Sequence, residues 1–186
     1  HEPIRIGIVK TLSPIYGIDL LIKAFKIVSN KLESVKLELF IYGDGPCVNE
    51  YKELVGHLAL NSKVFFFGKI PHSEVPRALS QLDIFVAPSL EESFGVAVIE
   101  ASAMGIPVIV SNASGLVEVV KNNITGIIVK KNSVTDLAKA LCFLICSPDV
   151  RSQLGKSGRL NVEKEFDWKH SIEAMEAIYS RYSLRQ

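Results

Sequence analysis

Two carboxylates eight positions apart, Glu92 and Glu100 in "EESFGVAVIEASAMG", are the residues of this chain best placed to do chemistry. From Gly95 to Met104 the stretch reads as a helix of apolar and small residues, with Glu100 as its one charge. A carboxylate buried there without a partner loses its hydration, so it needs a reason to be present. Ser93 is placed to cap the helix, and the N–H groups of Phe94, Gly95 and Val96 then stand unpaired at its positive end. Gly95 leaves the backbone open to close approach, which suits a phosphate. Glu100 lies roughly 7 to 9 Å farther along the axis, at about 1.5 Å per residue. The two carboxylates would therefore bracket an extended ligand rather than share a proton. Accepting from two vicinal hydroxyls, as on a ribose or hexose, is worth about 1.5–3 kcal/mol per charge-assisted bond, which would offset burying Glu100. The alternative is that Glu100 pairs with a Lys or Arg, or reaches the helix surface.

Other chemistry-bearing residues are fewer. Lys10 follows the apolar run "IRIGIV" and could neutralise a diphosphate, although a loop lysine can equally be solvated. His72 in "GKIPHSEV" has no partner nearby in sequence and reads as a cap or surface residue. "GDGPCV" begins like a dinucleotide fingerprint but carries Val48 where a third glycine belongs, and the Gly-Lys-Ser/Thr phosphate loop is absent. No Gly-x-Ser-x-Gly nucleophile elbow occurs. Cys142 and Cys146 share one face of an apolar helix, lack the further ligands a metal would need, and are expected to pack in the core.

The elements that must hold these residues alternate regularly. Strands are expected at Ile4 to Val9, Lys36 to Gly43, Val64 to Gly68, Asp83 to Ser89, Ile106 to Asn112 and Gly126 to Val129. Helices are expected at about Gly17 to Lys31, Val48 to Leu60, His72 to Leu82, Gly95 to Met104 and Leu116 to Lys121. After Val129 the pattern is helical: Ser133 to Cys146, Pro148 to about Glu165, and Trp168 to about Arg185. Strand and helix repeated in this way predict an α/β domain with a doubly wound, Rossmann-like parallel sheet of about six strands. A core at about 4–146 would be followed by a helical tail at about 147–186. Ligands of such sheets bind beyond the carboxyl ends of the strands, which selects the loops after Val9, Tyr42, Phe67, Pro88 and Ser111.

The bulk properties narrow the class. With 186 residues, 48% of them apolar, the chain can bury a full core as one domain. Lys plus Arg number 21 against 20 Asp plus Glu, and no long block of like charge is present, so nothing points to nucleic acid. Three cysteines suit a reducing compartment rather than a disulfide framework. The longest uncharged run, Ala101 to Val117, is interrupted by Gly, Pro, Ser and Asn and makes a poor membrane span. No transmembrane segment is expected.

Over nearly its whole length the chain resembles the C-terminal domain of family 4, GT-B-fold retaining glycosyltransferases. The resemblance is carried by "GIVKTLSPIYGIDLLIKAF", "LFIYGDGP", "VFFFGKIPHSEVPRAL", "DIFVAPSLEESFGVAVIEASAMGIPVIVSNASGLVEVV", "TGIIV" and "EFDWKHSIEAMEAIY". It implies one half of a GT-B fold that binds a UDP- or GDP-sugar for transfer, with retention, to a glycan or lipid acceptor, as in polysaccharide biosynthesis. By matching position, Glu100 would hold the ribose. Glu92 would support the transition state, and Lys10 with the N–H groups of Phe94, Gly95 and Val96 would hold the diphosphate and sugar. Gly43, Lys69 and Ile70 would line the base pocket. No metal or other cofactor is implied, since basic residues and helix ends hold the diphosphate in such enzymes.

Two departures qualify this picture. Tyr16 stands where the family carries the second member of a basic pair. A lost ion-pair contact at about 4 Å is nominally ~4 kcal/mol at an effective dielectric near 20, before desolvation. By the same resemblance the acceptor half, an N-terminal domain, is expected to lie outside these residues, so the isolated domain is expected to bind nucleotide weakly and turn over little. A cytoplasmic setting is implied, with contact to the inner face of a membrane open through that other half. The other readings are a non-catalytic nucleotide- or glycan-binding module and a GT-B-fold sugar-nucleotide epimerase.

Overall fold

The computed structural model describes residues 2–166. Six parallel strands form one sheet: β1 (Ile4–Val9), β2 (Leu37–Tyr42), β3 (Val64–Gly68), β4 (Ile84–Ala87), β5 (Val108–Ser111) and β6 (Ile127–Val129). Their spatial order is β3-β2-β1-β4-β5-β6. The helices are α1 (Ile18–Lys31), α2 (Val48–His57), α3 (Val75–Leu79), α4 (Val96–Ala103), α5 (Ser114–Val119), α6 (Val134–Cys146) and α7 (Pro148–Glu165). The expected α/β class and strand number therefore hold. The helix expected from Trp168 to Arg185 lies outside the described residues.

Alternation along β2 shows how the sheet is covered on both faces. Leu39 and Ile41 face one core with Ile6, Ile8, Ile84 and Val86, under α1, α2 and α6. Phe40 and Tyr42 face the other with Phe85, Val108 and Val110, under α3, α4 and α5. A strand buried on both sides must be apolar along its length, which is why β4 reads as an unbroken apolar run and β5 as one up to Ser111. No helix among the described residues is long and apolar enough to cross a membrane.

The ends of elements differ from expectation where local geometry overrides composition. Ser93 does not cap α4. Gly95 takes the N-cap position in the left-handed region, with φ 86°, and no side chain caps the helix. Cys146, expected in the core, is exposed in the last turn of α6, whereas Cys142 is partly buried and Cys47 fully so. The helix expected to run to Leu60 ends at His57, because Ala59 turns left-handed with φ 53° and Leu60 donates its N–H back to the Val55 carbonyl at 3.0 Å. That closing turn normally takes glycine. An L-residue there costs about 1–2 kcal/mol, while glycine adds about 0.4–1 kcal/mol of unfolded-chain entropy. Ala59→Gly should thus raise stability by about 0.5–1 kcal/mol in chemical denaturation; an unchanged or lower midpoint would contradict the strain assigned to Ala59.

Candidate functional site

Strand order reverses between β1 and β4, so the loops leaving these neighbours diverge and open a crevice at the carboxyl edge of the sheet. Lys10 is the first residue after β1, its N–H bonded to the Tyr42 carbonyl at 2.9 Å. Glu92 sits in the loop after β4. Although 82 positions separate them, the Lys10 ammonium donates to Glu92 Oε2 at 2.5 Å. Both are largely withdrawn from solvent, the Glu92 side chain being 11% exposed. The ammonium also lies 4.2 Å from the centre of the Tyr16 ring.

The loop bearing Glu92 is tied down on several sides. Leu90 N–H donates to the Ile15 carbonyl at 2.7 Å, which joins it to the loop after β1. The buried Ser111 hydroxyl donates to the Ser89 carbonyl, and Gly115 N–H to the Glu92 carbonyl at 3.0 Å. Gly95 then lies against α5: a Cβ there would come within 2.7 Å of the Leu116 side chain. With Gly95 as N-cap, its carbonyl accepts from Val98 N–H at 2.9 Å. The N–H groups of Val96 and Ala97 are left without an intrahelical acceptor, so the donors lie one residue later than the expected Phe94 to Val96 set. The side chains of Phe94 and Val96 are exposed, 44% and 57%.

Beside Lys10 a cavity of about 410 Å³ opens, lined by Thr11, Tyr42, Gly43, Asp44, Lys69 and Ile70 among others. This is within the range of small-molecule clefts, about 300–1,000 Å³. Lys10, Gly43, Lys69 and Ile70, four residues singled out from sequence, thus line one cavity. Thr11, Tyr42 and Asp44 were not singled out, though Thr11 and Asp44 lie in loops that the strand-end rule selects and Tyr42 adjoins one. Gly43 is where the ends of β1, β2 and β3 meet, its N–H bonded to the Gly68 carbonyl at 2.8 Å. Glu92, Phe94, Gly95, Val96 and Glu100 do not line the cavity.

Glu100 projects from α4 with 28% of its side chain exposed, 3.7 Å from the His72 ring nitrogen Nε2. No Lys or Arg bridges it among the described residues. Burial raises its carboxyl pKa above the ordinary value, and His72 opposes that rise. His72, 85% exposed, stands two positions after Ile70 and so links Glu100 to the edge of the cavity. From sequence it was a surface residue without a partner; the fold supplies one from 28 positions away.

The chain is 32% identical over 103 residues to the phosphatidylinositol N-acetylglucosaminyltransferase GPI3 subunit of Saccharomyces cerevisiae, covering 55% of this chain and 22% of that one. Its fold is similar to sucrose-phosphate synthase from Thermosynechococcus elongatus, with TM-score 0.89 and 27% identity over 100% of this chain and 47% of that chain. It is also similar to Anabaena HepE, solved in complex with UDP, with TM-score 0.88 and 21% identity over 96% and 49% of the respective chains. The chain thus spans half or less of the length of each. Residues 1–161 match the model for glycosyl transferases group 1, and the chain belongs to that family.

Proposed function

We propose that this chain is the donor-binding half of a retaining glycosyltransferase, holding a nucleoside diphosphate sugar, UDP- or GDP-linked, in the crevice between the loops after β1 and β4. The observation that carries this reading is the convergence of Lys10, Gly43, Lys69 and Ile70 on one cavity at the point where strand order reverses. The base would lie against Ile70 and Gly43. Glu100 would accept from the ribose hydroxyls, and the diphosphate would meet Lys10 and the start of α4. Glu92, next to Lys10, would face the donor sugar and support positive charge developing at its anomeric carbon. Lysine and helix N–H donors supply the countercharge in this scheme, so it requires no metal. HepE, a relative in fold, is solved with UDP, and the same nucleotide is the natural first ligand. Hexosyl transfer to a glycan or lipid acceptor would need a second domain, and the chain by itself is expected to turn over little.

One observation favours a second reading, a nucleotide-binding module without catalysis. The charge of Lys10 is already answered by Glu92, and Tyr16 adds none. Both readings place nucleotide in the same cavity. Calorimetric titration of the 186-residue chain with UDP tests it: binding is expected, and Lys10→Gln should weaken it by about tenfold or more, a loss of ~1.4 kcal/mol. Lys10→Gln binding UDP as tightly as the wild type would overturn the site.

A further inference from the structure

The diphosphate site has an unusual construction: one ammonium, one carboxylate already bound to it, and an aromatic ring beneath. A lysine on a flexible four-carbon stem must be held if it is to act as a directed charge. Glu92 cannot hold it throughout, because a phosphate would compete for the same protons. The Tyr16 ring can. Lys10 Nζ stands 4.2 Å from its centroid, inside the ~6 Å reach of a cation–π contact, and Tyr16 packs against the core below. The backbone that carries the ring is held in turn, since Tyr16 N–H donates to the Ser13 carbonyl at 3.1 Å and Leu90 N–H to the neighbouring Ile15 carbonyl. Ring and carboxylate therefore belong to two loops joined by backbone hydrogen bonds, with the ammonium between them.

We infer that Tyr16 is a positioning residue for the donor diphosphate, the seat on which the Lys10 ammonium stays while it exchanges the Glu92 carboxylate for a phosphate oxygen. The inference rests on the nucleotide-binding reading above and assigns its anion site a mechanism. In the empty site Glu92 satisfies Lys10. When the diphosphate arrives, the ammonium keeps its ring contact and changes only its anionic partner, which frees the Glu92 carboxylate toward the sugar. The ring contributes polarisable, uncharged support, so it favours neither partner and does not repel Lys10 as a second cation would. Tyr16 then compensates for a missing charge by restricting the one that remains.

The test is a set of UDP titrations by calorimetry on the full chain. Tyr16→Leu should weaken binding by about tenfold, as expected for loss of a partly desolvated cation–π contact. Tyr16→Phe, which keeps the ring face, should stay within about twofold of the wild type. In a Lys10→Gln background the Leu and Phe variants should bind alike, an outcome that a purely structural role for Tyr16 would not give. Glu92→Gln, which removes the competing carboxylate, should bind UDP more tightly than the wild type. Thermal midpoints of the unliganded variants separate folding from binding. A wild type that binds UDP with Tyr16→Leu equal to Tyr16→Phe would overturn this inference alone. So would Glu92→Gln binding no more tightly than the wild type. Absence of UDP binding by the wild type would overturn the nucleotide reading and this inference with it.

Discussion

Glu100→Gln is expected to weaken UDP binding by about tenfold or more and, at the same time, to raise the thermal midpoint of the ligand-free chain at neutral pH. The first effect follows from the proposed contact with the ribose hydroxyls: each charge-assisted bond is worth about 1.5–3 kcal/mol, and ~1.4 kcal/mol is already tenfold. The second follows from where the carboxylate sits. Burial raises its pKa in the folded state, and the nearby imidazole, itself well exposed, only partly opposes this. A group whose folded pKa lies above its unfolded value favours folding fully when protonated, below the unfolded value. That contribution is lost as pH rises through the folded value. Above that value the Glu100 carboxylate is a charge in surroundings that disfavour it, and glutamine relieves this. The gain in midpoint should shrink as the pH falls through the raised pKa of Glu100 and vanish below the ordinary carboxylate range, where the group is protonated folded and unfolded alike. Calorimetry with UDP and thermal melts across that range check both parts. Equal UDP affinity in the two proteins would remove Glu100 from the ribose, and a midpoint gain independent of pH would show that burial of charge is not its source.

How much of this site could be read beforehand depended on whether the signal was local. The central strands were legible because a sheet covered on both faces needs continuous apolar runs, and β4 and most of β5 have them. The candidate loops followed from topology, since only carboxyl ends of strands open into the crevice. Lys10 was accessible in that way, and so was the loop that holds Ile70, although Ile70 itself was named only through the family resemblance. Their partners were not: nothing local tells that Lys10 meets Glu92, that its ammonium rides on Tyr16, or that His72 stands beside Glu100. Such pairings are made by the sheet, which brings the ends of β1, β3 and β4 to one edge. The reading of Ser93 as a cap failed for a related reason. Serine caps by local hydrogen bonding, but here the loop is held by Ile15, Ser111 and Gly115 from elsewhere in the chain, and α4 begins after a left-handed Gly95. Cys142 and Cys146 do share a helical spacing, yet Cys146 closes α6 on its exposed side, while Leu144 and Ile145 of the same turn stay in the core.

Gly43→Ala should do the greatest damage of any single methyl group added to this crevice, costing about 3 kcal/mol of stability and abolishing UDP binding in whatever fraction still folds. Gly43 has φ 137°, a conformation that side chains strain, and a Cβ there would lie 1.8 Å from the Lys10 carbonyl oxygen. The obstruction is backbone, so no rotamer can relieve it. Lys10 N–H is held by Tyr42 and Gly43 N–H by Gly68, so β1 and β2 cannot separate at this point without breaking one of those bonds. Either response moves Lys10, and the cavity wall moves with it. Gly56 in α2 supplies the contrast: a Cβ there meets nothing within 4 Å. Gly56→Ala should therefore stabilise the chain by about 0.5–1 kcal/mol, the ordinary gain from removing a glycine inside a helix. It should leave UDP binding unchanged. Denaturant titration of the two variants, followed by calorimetry on each, separates a glycine required by close backbone approach from one that is only permitted. If Gly43→Ala retained wild-type stability and nucleotide affinity, the junction of β1, β2 and β3 would not be what shapes the cavity.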